Sequence, residues 1–168
     1  MNLERAIFNN LLNNETYARK TIPFLKPDYF HNRNDKVVYE LIDSYVGKYN
    51  AFPTKEALLV DLNNRDNISE DQFKECKELV KEIPDQSDQL SNVDWLVDQT
   101  EKFCQDKAIY NAIMESVSIL DDKNGKKSKG EIPQLLADAL GVSFDSNIGH
   151  DYINDYDSRF DFYHRKEK

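Results

Sequence analysis

The sequence predicts an all-α fold: a small globular helical subdomain, then a long helical hairpin, then a linker helix. Three observations lead there. Only five Gly and five Pro punctuate the 168 residues. The apolar residues recur at helical spacing and do not alternate. From Trp95 to Leu120 there is neither Gly nor Pro, room for one helix of about 40 Å. The expected units are residues 1–90 for the globular part, 91–142 for the hairpin and 143–168 for the linker.

Leu3, Ile7 and Leu11 step by four, so the chain opens with an amphipathic helix. Glu15 to Thr21 suits a second, short helix stopped by Pro23. Pro27 marks a turn, with Tyr29 and Phe30 as loop anchors. Val37, Val38, Leu41, Ile42, Tyr45 and Tyr49 form a helical stripe that ends near Asn50, before Pro53. Thr54 can cap the next helix, whose inner face is Leu58, Leu59 and Leu62. Ser69 and Gln72 make a capping-box pattern for another, with Phe73, Cys76, Leu79 and Val80 on its apolar side and Pro84 after it. These short helices are expected to surround one small core.

Residues 85–91 are polar and read as a loop, followed by a second capping-box pattern at Ser91 and Asp94. The long helix beyond it is too long to bury itself on the small first unit. It has two apolar faces. Leu96, Phe103, Tyr110, Val117 and Leu120 lie within one arc; Ala108, Ala112, Ser116 and Ile119 lie nearly opposite. A helix apolar on two sides wants two neighbours. One is the shorter helix from Pro133 to Leu140, reached through Asp121 to Gly130 and closed by Gly141. The other comes from a second copy of the chain, unless both faces pack within one monomer. The residues expected to meet another copy are Leu96, Phe103, Ala108, Ile109, Ala112, Ile113, Ser116, Val117 and Leu120. On this reading Ala112→Arg weakens self-association.

In the tail, Tyr152, Ile153, Tyr156, Phe160 and Tyr163 follow helical spacing. A helix this short is marginal alone. It is expected to dock through Tyr152, Ile153, Tyr156 and Phe160 on a partner outside this chain or on another subunit.

Composition excludes several functions. A formal net charge of -9 argues against a surface that grips a phosphate backbone by itself. The two cysteines, Cys76 and Cys104, sit in apolar-periodic segments and read as buried free thiols, which suits a reducing cytoplasm. Met1-Asn2-Leu3-Glu4 does not open a signal peptide, and no apolar run approaches a membrane span. Gly125-Lys126-Lys127-Ser128 lacks the first glycine and preceding strand of a phosphate loop and reads as a solvated basic loop. His31, His150 and His164 lack metal-type partners at helical spacing. Asp151, Asp155 and Asp157 lack the glycine and terminal Glu of a calcium loop. No catalytic, cofactor or metal residue is expected.

Several stretches, in order, resemble the N-terminal region of the DnaB family of hexameric replicative DNA helicases. Glu4-Arg5-Ala6-Ile7-Phe8-Asn9-Asn10-Leu11-Leu12 resembles its first helix, and Phe24-Leu25-Lys26-Pro27-Asp28-Tyr29-Phe30 its aspartate–aromatic–phenylalanine turn. Lys36 to Tyr49, with Phe52-Pro53-Thr54, resembles the next helix and loop. Trp95-Leu96-Val97-Asp98-Gln99-Thr100-Glu101-Lys102 resembles the hairpin start in T-even-type phages, and Ser143 to Asp151 with Asp155-Tyr156 the linker entry. The resemblance implies a collar domain in the bacterial host cytoplasm. Hairpins would pair into dimers, three dimers would close a ring around the DNA channel, and the collar would recruit primase, with a helicase loader as a further candidate partner. The linker helix would dock on a neighbouring RecA-like motor. ATP and magnesium would belong to that motor, which this chain is expected to lack, as would 5′-to-3′ unwinding. Two other readings stand beside it: a stand-alone all-α replication adaptor or loader-like protein, and a small enzyme with an unrecognised acidic site.

Overall fold

The computed structural model describes residues 2–85, 92–122 and 128–144, and among them every regular element is a helix. The elements are α1 (Leu3–Asn13), α2 (Glu15–Thr21), a 3-10 turn (Pro27–Tyr29), α3 (Arg33–Tyr49), α4 (Lys55–Asn63) and α5 (Glu70–Lys81). These form the head. The hairpin follows: α6 (Val93–Leu120), a second 3-10 turn (Lys129–Glu131) and α7 (Ile132–Leu140).

Short polar side chains start most of these helices. Asn2, Thr54 and Ser69 each accept from a backbone N–H three residues on, at 2.9 to 3.1 Å. Asn14 closes α1 with its own N–H and opens α2 by accepting from Tyr17, which explains the sharp turn between them. Asn32 caps α3 through the N–H groups of Asn34 and Asp35. At the other end of α3, Asn50 adopts the left-handed conformation, φ 52°, that stops a helix.

Two local readings shift. The cap of α6 is Asn92, whose side chain accepts from Trp95 N–H at 3.0 Å, not Ser91, which lies outside the described residues. The second arm begins at Ile132, one residue before Pro133, because Ser128 and Glu131 close a reciprocal capping box that winds residues 129–131 into the helix. Residues 123–127, with Gly125, Lys126 and Lys127 of the expected basic loop, and residues 145–168, with the expected linker helix, His150, His164 and the aspartates near Asp151, lie outside the described residues.

The core is continuous. Ile7, Phe8, Leu11, Val38, Ile42, Leu58, Leu62, Cys76 and Val80 fill the head, and the same cluster runs on through Leu96, Phe103 and Cys104 into the hairpin. Phe30 lies where the two meet. Its ring stacks on Phe8 at 5.3 Å and on Tyr39 at 4.9 Å, and tilts against Phe103 at 5.4 Å. Such pairs each add about 0.5–1.5 kcal/mol beyond the area they bury.

Candidate assembly surface on the long helix

The buried side of α6 rotates along its length. In the N-terminal half, Leu96, Thr100, Phe103 and Cys104 face the head. In the C-terminal half, Ala108 and Ala112 are buried in the cluster that holds Ala139 of α7, with Leu135 and Leu136 packed against it. Ser116 and Ile119 are buried on the same side of the helix. The small side chains let the two arms of the hairpin approach closely.

The head reaches along α6 to Asn111. The Asn111 amide donates to the Asp28 carbonyl at 2.9 Å and its oxygen lies 3.0 Å from His31 Nε2. The His31 ring rests 4.7 Å from that of Tyr110. Beyond this contact one side of α6 is exposed. Tyr110, Ile113, Met114, Val117 and Leu120 are each between 45% and 57% exposed, and Ile109 is half-buried. Steps of three and four residues put them on one stripe. A contiguous apolar stripe is a candidate interaction surface, whereas scattered exposed apolar residues need no explanation.

The residues anticipated for another copy therefore divide into three groups. Leu96 and Phe103 belong to this chain's own core and are not presented outward. Ala108, Ala112 and Ser116 are also covered within the chain, so the small-residue face is the inside of the hairpin. Ile109, Ile113, Val117 and Leu120 are open or partly open. The arc from Leu96 to Leu120 splits because steps of seven drift by about 20° each on an α-helix, so that Leu96 and Phe103 are buried while Tyr110, Val117 and Leu120 are exposed. Met114 was missed, although it stands four residues after Tyr110 and three before Val117. The linker residues Tyr152, Ile153, Tyr156 and Phe160 lie outside the described residues.

The electrostatics describe structural groups. Burial pushes the Cys76 thiol up to about 11 and the Cys104 thiol up to about 12, so both are poor nucleophiles at neutral pH. Burial also raises Tyr17 and Tyr39, whose hydroxyls bond Thr100 and the Leu25 carbonyl. Two open depressions beside the start of α3 are lined by polar groups of mixed charge, among them Arg5, Asn34, Lys74 and Glu75. They lack the enclosed apolar walls of a small-molecule site. Among the described residues no group of His, Cys, Asp and Glu could hold a metal ion. None of their helices is long and apolar enough to cross a membrane.

No protein-family model matches the chain. Over 96% of its length it is similar to the DnaB-like replicative helicase of Enterobacteria phage T4, with 32% identity over 170 residues. The chain spans 35% of that relative's length.

Proposed function

We propose, from the likeness to the DnaB-like replicative helicase of phage T4, that the chain is the N-terminal collar of such a helicase, serving ring assembly and primase docking in DNA replication. The observation that carries the reading is the open stripe Tyr110–Ile113–Met114–Val117–Leu120. A second copy offering the same stripe would bury it about a two-fold axis, the commonest way identical chains associate. Dimers made this way are the unit from which a ring of three pairs closes around DNA.

The acidic balance of the chain suits a collar that meets proteins and surrounds DNA without gripping it. The sequence contains no phosphate loop. ATP, magnesium, 5′-to-3′ unwinding and the docking of the linker helix would therefore reside in a motor domain of the parent protein. The bacterial host cytoplasm is the corresponding location.

Sedimentation of the purified chain tests the assembly role. The wild type is expected to move from monomer to dimer or larger species as concentration rises. Ile113→Arg with Val117→Arg is expected to remain monomeric, with its thermal unfolding within about 0.5 kcal/mol of wild type because both sites are exposed. Identical concentration dependence in the two proteins refutes the stripe as the assembly surface.

A further inference from the structure

The segment after α7 does not leave the molecule at the end of the hairpin. It runs back along α6 toward the head, held residue by residue. Gln105 Nε2 donates to the Val142 carbonyl at 3.0 Å. One turn nearer the head, a single carboxylate oxygen of Glu101, Oε2, accepts from the Ser143 hydroxyl at 3.2 Å and from the Phe144 N–H at 2.7 Å. The Phe144 ring then stacks on Phe24 of the head, with centroids 4.6 Å apart and planes 20° from parallel. Phe144 is 9% exposed and belongs to the main apolar cluster.

This attachment must matter to α7. The helix has nine residues, fewer than the roughly 12–15 at which an isolated helix is even marginal in water. Its only buried residue is the small Ala139, and its last residue, Leu140, is 71% exposed. Its packing on α6 rests on that alanine and on the half-buried Leu135 and Leu136. By contrast, the three residues after Gly141 contribute two hydrogen bonds to a carboxylate, about twice as strong as neutral ones, and a buried aromatic pair. The second arm thus has a further anchor beyond the arm itself.

We propose that Glu101, Gln105 and Phe24 form a lock for Val142–Phe144, that the lock and α7 open and close as one unit, and that the closed lock makes the head the point from which the chain beyond Phe144 departs. A pull on that following chain acts first on Phe144. Opening frees α7 and uncovers Ala108 and Ala112 on the inside of the hairpin. The inference stands apart from the assembly reading, since it concerns contacts within one chain.

Amide hydrogen exchange on the intact chain, resolved by segment, tests it with Glu101→Ala and Phe144→Ala. In the wild type, the amides of α7 and of Phe144 are expected to exchange slowly and at similar rates. In both variants, exchange across residues 132–144 is expected to rise tenfold or more while α3, α4 and α5 keep wild-type rates. The proposal is overturned if Glu101→Ala speeds the Phe144 amide alone. It is also overturned if all helices loosen together, or if the wild-type Phe144 amide already exchanges as an open one. Should Phe144→Ala fail to fold, Phe144→Leu, which keeps apolar bulk and loses the ring stack, is expected to give a rise of about two- to fivefold; no rise overturns the part assigned to the stack.

Discussion

The hydroxyl of Tyr17 lies 2.7 Å from that of Thr100, a buried bond that joins the head to the long helix. Thr100 donates its own proton to the Leu96 carbonyl, also at 2.7 Å, so Tyr17 is the donor in the pair. With Phe30 against Phe103, this bond sets how α6 sits on the head.

Tyr17→Phe removes that donor and little volume. A net loss of about 1 kcal/mol is expected, the usual worth of a single intramolecular hydrogen bond. Urea unfolding is the measurement. An unchanged midpoint would mean that the remaining contacts alone align the two parts.

Ala112→Arg separates the two faces of α6. On the sequence reading, this change weakens association between copies. In the structure Ala112 is covered inside the hairpin, so the effect falls on the fold of one chain. Forcing an unpaired charge into that contact is expected to cost about 3 kcal/mol or more. Thermal unfolding of Ala112→Arg should drop well below that of Ile113→Arg, an exposed site on the same helix. Equal melting temperatures would place Ala112 on an open surface.

Asp35 gives a pH signature. Burial raises its carboxyl above 3.8, and the charge of Arg5, whose Nη1 lies 3.1 Å away, only partly offsets this. A raised carboxyl pKa means that the folded chain holds the proton more tightly than the unfolded chain. The stability this adds is full below the unfolded value and is lost as pH rises through the folded value. Asp35→Asn titrates nowhere in this range. The difference in unfolding free energy between wild type and Asp35→Asn should therefore move in favour of the wild type as pH falls from neutrality toward 3.8, and then level off. Movement the other way would show that the pair with Arg5 outweighs burial.

Much of the architecture was written locally. Periods of three and four, with Asn, Thr and Ser at helix starts, located α1 to α5. The uninterrupted run after Trp95 located α6, and Pro133 with Gly141 bracketed α7 to within a residue. Where the reading slipped, at Ser91 against Asn92, two neighbouring residues could each serve as a cap, and only the observed backbone bond distinguishes them.

What the sequence by itself determined is which residues turn away from water, because that follows from spacing along a helix. What only the tertiary structure decided is what covers them. Phe103 and Val117 occupy nearly the same arc of α6, yet one is sealed beneath Phe30 and the other is open. Phe144 read as the start of a linker, and its place against Phe24 and Glu101 has no local signal. Periodicity is a property of one helix, whereas burial requires a second surface, brought there by a chain that is distant in sequence.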